Sequence, residues 1–304
     1  MNVGERIAGC LLGGAIGDAF GSAYEHVAEP DEDVYYPFGK PEPPKKKWQL
    51  TDDTQLTIAT IEAIIERDGV EPEAIAHQML QWYRAKRIVG IGSSSLKAMQ
   101  ELSQGGHYTQ VGRRGEYSAG NGAAMRIAPL AFIASVDRDT VREVCRITHH
   151  SDEAYVGARC VIEAIRAASD GRWSGANTLI ELLLPLLPDT RVRDRLRDVG
   201  RMNDLTAIAQ LGNSGYVVDS VPLAIAAASQ VRMIGMKAMY QSLIDIGGDT
   251  DTNCSIAGQV AGALLGKSAL PKGHLSHLMD LTGSDTLQST IDRFINWQSS
   301  QQQG

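Results

Sequence analysis

Two runs of glycine at four-residue spacing constrain the packing of this chain more than any other sequence feature. The runs consist of Gly9, Gly13, Gly17 and Gly21, and of Gly258, Gly262 and Gly266. Residues four apart lie on one face of an α-helix, so each run predicts a helix that another backbone can approach closely. We expect these two helices to pack antiparallel. That packing would bring Glu25 beside Asp249 and within about 12 Å, one helix diameter, of Asp251.

Helical periods recur along the rest of the chain, and no segment shows the alternation typical of a half-buried strand. At 304 residues and 43% hydrophobic content, the chain can bury a large core. We therefore predict an all-α fold, a compact orthogonal helical bundle of a dozen or more helices in a single domain, 1–304. Five of the eleven prolines fall in 26–50 and predict an irregular loop there, and 298–304 reads as a frayed tail.

The charge and the cysteine pattern limit the partners and the compartment. A net charge of -7 argues against nucleic acid as a partner, because phosphate binding needs clustered lysine and arginine. No run of 18 apolar residues is present that would span a membrane. The four cysteines show no C-x-x-C spacing, which is typical of buried thiols in a reducing cytoplasm. We expect a cytoplasmic protein that is a monomer.

The stretch 247–253, GGDTDTN, places two carboxylates and two hydroxyls within four residues. Asp249 and Asp251 are two positions apart and cannot share a face of a regular helix, so the cluster must straddle a helix start. We expect the helix itself from Asn253 onward. Oxygen ligands of this kind suit Mg²⁺, Ca²⁺ or Mn²⁺, although an elaborate helix cap is the simpler alternative. An EF-hand is excluded, because its sixth and twelfth positions are Cys254 and Val260 instead of Gly and Glu.

A second cluster, TDDT at 51–54, precedes an amphipathic helical pattern. Thr51 is the expected N-cap, with Asp52 and Asp53 in the first turn. Taken alone, this pattern favours a cap over a metal site. Together with the later cluster, it provides two helix starts with paired Asp and Thr, which a two-metal site built on helices would need.

Three further segments offer weaker candidates for ligand contacts. The small-residue loop at 115–126, GEYSAGNGAAMR, opens a helix whose backbone N–H groups would favour an anion such as phosphate. His149, in THHSD, faces either a ligand or the interior. Tyr216 either stacks on a flat ligand or belongs to the core.

Six segments in this order resemble the ADP-ribosylglycohydrolase family over nearly the whole chain. They are GCLLGGAIGDAFGSAYE, TDDTQ, GNGAAMRIAPL, THHSDEA, GYVVDS and IGGDTDTN. The resemblance implies a binuclear centre of two divalent cations, Mg²⁺ or Mn²⁺. The implied metal ligands are Thr51, Asp52, Asp53, Asp249, Asp251 and Thr252.

The same resemblance implies catalytic and substrate-binding residues. Glu25 matches a glutamate near the metals and the scissile bond, and Asp52 and Asp251 are the other catalytic candidates. The implied substrate contacts are Ser118, Asn121, Gly122, His149 and Tyr216. Ala119 stands where some relatives carry an aromatic residue, so the resemblance does not extend to the stacking of the adenosine.

The implied function is that of a metal-dependent ADP-ribosylhydrolase. It would remove ADP-ribose from arginine or serine side chains of modified proteins, by attack of water on the anomeric carbon of the distal ribose. One alternative is a hydrolase of a small ADP-ribose derivative, such as O-acetyl-ADP-ribose, that uses the same metal centre. The other is a non-catalytic ADP-ribose-binding protein.

Overall fold

The computed structural model describes residues 1–25, 47–175 and 179–301, and α-helices dominate these ranges. The helices are α1 (Val3–Ser22), α2 (Asp52–Arg67), α3 (Pro72–Arg84), α4 (Ser93–Ser103), α5 (Arg138–Arg146), α6 (Asp152–Asp170), α7 (Leu179–Leu183), α8 (Arg191–Val199), α9 (Leu205–Ala209), α10 (Val217–Ser229), α11 (Val231–Ile246), α12 (Thr250–Leu265), α13 (Lys272–Met279) and α14 (Ser284–Gln301). The prediction of an all-α fold with a dozen or more helices is confirmed.

Two strands of two residues each interrupt the helical pattern. β1 (Arg113–Arg114) pairs in parallel with β2 (His149–His150). Such short strands leave no alternating hydrophobic pattern, so the sequence analysis did not find them. Their pairing fixes the segment that carries His149 beside the loop that begins after β1.

The glycine faces of α1 and α12 meet in the interior, and the helices run antiparallel. A Cβ added at Gly9 would collide with Gly262 and Gly266, and one added at Gly21 would collide with Thr250 and Asp251. The end of α1 therefore lies against the start of α12, as predicted. The Tyr240 hydroxyl of α11 donates to the Gly13 carbonyl at 2.7 Å and ties a third helix to the pair.

Side-chain caps define the starts of several helices. Asn2 accepts a hydrogen bond from the Glu5 N–H at 2.8 Å, and Asp137 accepts one from the Thr140 N–H at 2.8 Å. The Ser151 hydroxyl caps α6 in the same way through the Ala154 N–H. The start of α6 is therefore held directly after β2.

Three predicted segment boundaries either differ from the structure or fall outside the described residues. The helix expected from Asn253 begins at Thr250, so Asp251 and Thr252 belong to its first turn. The expected tail at 298–304 is wrong for 298–301, because α14 continues to Gln301 and buries Gln298, while 302–304 lie outside the described residues. Of the expected loop at 26–50, 26–46 also lie outside them, and 47–50 have no regular secondary structure.

The core is continuous among the helices that surround α1 and α12. It contains the apolar faces of α2, α6, α10 and α14 together with all four cysteines, which are buried free thiols. Within the described ranges, no helix has the length and apolar character needed to cross a bilayer. The single-domain organisation remains a prediction.

Candidate active site

Acidic side chains from the end of α1, the start of α2 and the start of α12 converge at one place. One carboxylate oxygen each from Glu25, Asp249 and Asp251 lies within 4.8 Å of the others. Oxygens of Asp18, Asp53 and Asp251 meet the same limit. The expected proximity of Glu25 and Asp251 is therefore confirmed, and the glycine contact between α1 and α12 is its cause.

Asp18, a residue that the sequence analysis did not select, organises the start of α2. Its carboxylate is buried and accepts hydrogen bonds from the Thr51 N–H at 3.1 Å and from the Thr51 hydroxyl at 2.5 Å. It also accepts bonds from the N–H and the hydroxyl of Thr54. Thr51 occupies the N-cap position as predicted, but its side chain makes no capping hydrogen bond, because it donates to Asp18 instead.

In each of the two clusters, at least one threonine hydroxyl donates to a carboxylate and keeps its lone pairs available. Thr51 donates to Asp18 at 2.5 Å, and Thr252 donates to Asp53 Oδ2 at 3.1 Å. The other oxygen of Asp53, Oδ1, is buried without a hydrogen-bond partner among the described residues. An orphaned carboxylate oxygen beside hydroxyl lone pairs is a donor set for a hard cation.

Burial and mutual repulsion make these carboxylates hard to ionise together. Burial raises the pKa of Asp52 to about 8, and the charges of Asp18 and Asp249 add to the effect. Burial also raises the pKa of Asp53, and burial followed by the charge of Asp53 raises that of Asp251 to about 12. The cluster can carry its full negative charge only when positive charge compensates for it.

No lysine or arginine of the described ranges supplies that charge to Asp18, Asp52, Asp53 or Asp251 through an ion pair. The donors are carboxylate and hydroxyl oxygens without histidine or thiolate, a set that suits Mg²⁺ or Mn²⁺ better than Zn²⁺. The residues present therefore fit a divalent-cation centre. Which cation binds, and how many bind, stays a prediction.

The acids open onto a cleft of about 240 Å³. Glu25, Asp52, Asp249 and Asp251 contribute to its lining. A larger cavity of about 550 Å³, between α9 and α11, is lined by none of these acids. The smaller cleft is therefore the one onto which the acidic cluster opens.

A glycine-rich loop faces the acids across the cleft. Asn121 and Gly122, two of the predicted substrate contacts, line the cleft. The Asn121 amide donates to Asp249 Oδ2 at 2.8 Å and so connects this loop to the acidic cluster. A Cβ at Gly215 would lie 3.1 Å from Asp249 Oδ2, so the absence of a side chain there leaves the carboxylate accessible.

His149 is the third predicted substrate contact that lines the cleft, and it is almost fully buried. Its ring packs against the glycine-rich loop so closely that a Cβ at Gly122 would lie 2.9 Å from Cε1. A Cβ at Gly120 would lie 3.0 Å from Nε2. Burial, followed by the charge of Arg126, lowers the pKa of His149 to about 3, so the imidazole is neutral.

The structure places the other two predicted substrate contacts beside the cleft and not on its lining. The Ser118 hydroxyl is used internally, because it donates to the Gly115 carbonyl at 2.6 Å and lies 3.1 Å from the His150 carbonyl. Tyr216 forms an antiparallel bridge with Gly120, and its hydroxyl lies 3.4 Å from an Arg191 nitrogen. Both residues support the loop that carries Asn121, and their contact with substrate stays a prediction.

The segment 90–95, which was not predicted to belong to the site, also lines the cleft, beside the acids and the glycine-rich loop. The Gly92 N–H donates to Asp52 Oδ2 at 3.1 Å, and Gly90 has a φ of +76° beside Thr51 and Asp52. The signal was the composition of GIGSSS, two glycines followed by three serines at a helix start. Backbone N–H groups and hydroxyls of this kind serve oxygen-rich ligands.

A family model described as ADP-ribosylglycohydrolase matches residues 1–303. An uncharacterised protein of Archaeoglobus fulgidus is 30% identical, with 91% of this chain and 92% of the relative covered. ADP-ribosylhydrolase ARH3 of Mus musculus is 25% identical, with 95% and 91% covered. ADP-ribosylarginine hydrolase Tri1 of Pseudomonas putida is 27% identical, with 88% and 72% covered. A solved ADP-ribosylglycohydrolase-related protein complex contains a chain with a TM-score of 0.69 and 26% identity, with 97% of this chain and 98% of that chain covered.

Proposed function

Because this chain belongs to the ADP-ribosylglycohydrolase family, whose members hydrolyse glycosidic bonds of ADP-ribose, we propose that it releases ADP-ribose from modified protein side chains with the help of divalent cations. The arginine and serine linkages are its two candidate substrates. The observation that carries the proposal is the convergence of Glu25, Asp249 and Asp251 oxygens within 4.8 Å beside a cleft.

The proposed ligands of two Mg²⁺ or Mn²⁺ ions are the six residues of the two helix starts. They are Thr51, Asp52, Asp53, Asp249, Asp251 and Thr252. Ions bound there would supply positive charge that orients ribose hydroxyls and makes a water molecule more acidic. The orphaned Oδ1 of Asp53 and the raised pKa of Asp52 are the features of this chain that support the assignment.

The chain's own residues have separable tasks in the proposed reaction. Glu25 accepts a proton from the attacking water, whose oxygen forms a bond to the anomeric carbon of the distal ribose. The bond from that carbon to the side-chain oxygen or nitrogen breaks through an oxocarbenium-like transition state, and the leaving atom takes up a proton. Asp52 and Asp251 are the alternative bases. Asn121 holds the Asp249 carboxylate in place through its amide.

The test is release of free ADP-ribose from two defined peptides, one modified on arginine and one on serine. Each is assayed with Mg²⁺, with Mn²⁺ and with a chelator. We expect chelator-sensitive release from one or both peptides. In Glu25→Gln, release should fall by about a hundredfold or more, the scale of a lost general base, while Mg²⁺ still binds.

Absence of release from both peptides by the folded, cation-loaded protein would contradict the proposal. Release of ADP-ribose from O-acetyl-ADP-ribose in the same assay would then identify a small-molecule hydrolase. Tight ADP-ribose binding without any turnover would identify a binding protein. Release that is insensitive to chelator would refute the assigned role of the two helix starts.

We also propose that the protein acts in the cytoplasm as a monomer. Its four cysteines are buried and unpaired, which supports a reducing compartment. Light scattering of the purified protein tests the oligomeric state, and fractionation of cells that express the full chain tests the location.

A further inference from the structure

A buried arginine lies behind the cleft wall, and the proposed reaction gives it no task. Arg126 is 0% exposed and donates through Nη2 to the Val144 carbonyl at 3.2 Å and to Thr148 Oγ1 at 3.0 Å. In the part of the chain that the structure describes, its Nε and Nη1 have no hydrogen-bond partner. A buried cation with so few hydrogen-bond partners destabilises the folded state, which indicates that Arg126 has a role in the site.

The Thr148 hydroxyl connects Arg126 to His149. A guanidinium only donates hydrogen bonds, so Thr148 Oγ1 is the acceptor of that contact. The same oxygen lies 2.7 Å from His149 Nδ1. Thr148 is 0% exposed, and among the described residues its hydroxyl has no other acceptor, so its single proton goes to Nδ1. The opposite arrangement would leave that proton buried without a partner.

The other ring nitrogen, Nε2, points into the glycine-rich loop of the cleft. It would lie 3.0 Å from a Cβ at Gly120 and 3.4 Å from one at Gly122. No hydrogen bond within the described residues engages it. Glycine at both positions leaves Nε2 within reach of a ligand, where an alanine would press against the ring.

We propose that Arg126, acting through the Thr148 hydroxyl, fixes His149 as the neutral tautomer with its proton on Nε2, so that the ring donates a hydrogen bond to an oxygen of the bound ADP-ribosyl group. The identity of that ligand rests on the proposed function, whereas the tautomer does not. Arg126 and Thr148 are positioning residues, because neither lines the cleft.

The charge of Arg126 supports the same state of His149. A second proton on the imidazole would place two positive charges side by side in the interior. Burial comes first among the causes that lower the pKa of His149, followed by the charges of Arg126, Arg113 and His150. Burial also lowers the pKa of Arg126, but only to about 10, so the guanidinium is charged at neutral pH.

Ring ¹⁵N NMR of the labelled protein without substrate tests the tautomer directly. His149→Gln identifies the His149 signals by their loss. In the wild type we expect a protonated Nε2 and an unprotonated Nδ1. In Thr148→Val, a form with the proton on Nδ1 should appear, and Thr148→Ser should restore the wild-type signals. A proton on Nδ1 in the wild type would overturn the proposal, and this result needs no variant to fold.

The consequence for binding is measured with ADP-ribose by calorimetry in Mg²⁺. We expect about tenfold weaker binding in Thr148→Val, which corresponds to about 1.4 kcal/mol, and near wild-type binding in Thr148→Ser. The matched control is Thr60→Val, which removes another buried hydroxyl, bonded to the Leu56 carbonyl within α2. It should leave both the tautomer and the affinity unchanged.

These outcomes separate the inference from the proposed function. If Thr148→Val changes the tautomer but leaves the affinity for ADP-ribose unchanged, the Nε2 proton does not donate to the ligand as proposed. An unchanged tautomer in that variant would remove the role of Thr148. If the wild type shows the expected tautomer but releases no ADP-ribose from either peptide, the proposed function fails while the assignment of the tautomer stands.

Discussion

Asp18 holds the start of α2 in place through hydrogen bonds that engage both oxygens of its carboxylate. The hydroxyl protons of Thr51 and Thr54 are directed to it, so the lone pairs of Thr51 are free for another partner. Because both of its oxygens are occupied, we expect Asp18 to support the proposed cation ligands without being one of them. Residues that hydrogen-bond to metal ligands set the orientation of the ligand atoms.

Replacement of Asp18 by Asn tests this support. An amide offers one acceptor oxygen where the carboxylate offers two, so Thr51 and Thr54 cannot both keep their bonds. We expect the affinity for Mg²⁺ or Mn²⁺, measured by calorimetry, to fall by about 10- to 100-fold in Asp18→Asn, the range found for residues that orient metal ligands.

The control is Asp137→Asn, which removes an acid far from the cluster, at an N-cap where Asn serves equally well. Its cation affinity should match that of the wild type. A wild-type affinity in folded Asp18→Asn would show that Asp18 has no influence on the cation ligands.

Several residues of the site were predictable because their chemistry is visible in the sequence. TDDT and GGDTDTN combine acids and hydroxyls at helix starts, a pattern that indicates oxygen ligands for a cation. Asp18 was missed because it is a lone acid within an apolar helical pattern, and its partners lie more than thirty positions away. The internal use of the Ser118 hydroxyl was equally invisible, because its acceptors depend on how the chain folds around it.

The contact between α1 and α12 determines the geometry of the site at the level of helices. Glycines on both helices let the backbones touch, and the acidic residues follow at the end of α1 and the start of α12. The separation between Glu25 and Asp251 is therefore set by packing that lies largely outside the cleft.

We expect Gly262→Ala to loosen this contact. The new Cβ would collide with the Gly9 carbonyl oxygen, a backbone atom that cannot rotate away. Overpacking of this kind should lower the free energy of unfolding by about 2 kcal/mol or more and weaken cation binding. Urea denaturation and calorimetry measure the two effects.

Gly273→Ala is the matched control, because its Cβ would enter open space in α13. Its stability should equal or exceed that of the wild type, since alanine favours a helix. Equal stability of Gly262→Ala and the wild type would show that the two backbones can separate without cost.

Helices were predictable from glycine spacing and apolar periods, whereas their ends were less so. α12 begins at Thr250 and not at Asn253, because Asp251 and Thr252 fit the first helical turn once their side chains find partners in α2 and within the cluster. The end of α14 was placed too early, since Gln298 is buried by neighbours that a polar sequence does not reveal. Tertiary contacts decide such boundaries.

At the scale of the whole molecule, the acidic cluster opposes folding when no cation is bound. Several carboxylates have a pKa in the folded state far above the value of about 4 that they have in an unfolded chain. The folded state therefore binds more protons than the unfolded state at neutral pH. Under that condition, the free energy of unfolding decreases as pH rises.

We predict that the chelated protein loses about 1 kcal/mol or more of stability between pH 7 and pH 8. His149, whose pKa is lowered in the folded state, holds only about a quarter of a proton in the unfolded state at pH 7, so its opposing contribution in this window is small. Asp52, with a pKa of about 8, still contributes. Scanning calorimetry in chelator measures the effect, and saturating Mg²⁺ should remove it because the cation replaces the protons.

Asp53→Asn serves as the control, since it removes one of the raised carboxyls. Its chelated form should show a shallower decrease and should no longer be stabilised by Mg²⁺. If the stability of the chelated wild type stays constant or increases between pH 7 and pH 8, the pKa values of the buried carboxylates are not raised as described.

The hydrogen bond from Thr252 to Asp53 joins positions 199 residues apart. The ribosome makes the chain from its N-terminus, so α1 and α2 leave it long before α12 exists. Until then, the glycine face of α1 lacks the backbone that covers it, and Asp53 lacks its hydroxyl donor. Any chain that stops before Thr250 therefore exposes an uncovered helix face and an incomplete cluster of acids. The acidic cluster is therefore complete only after synthesis has passed Thr252 and after α12 has packed against α1 and α2.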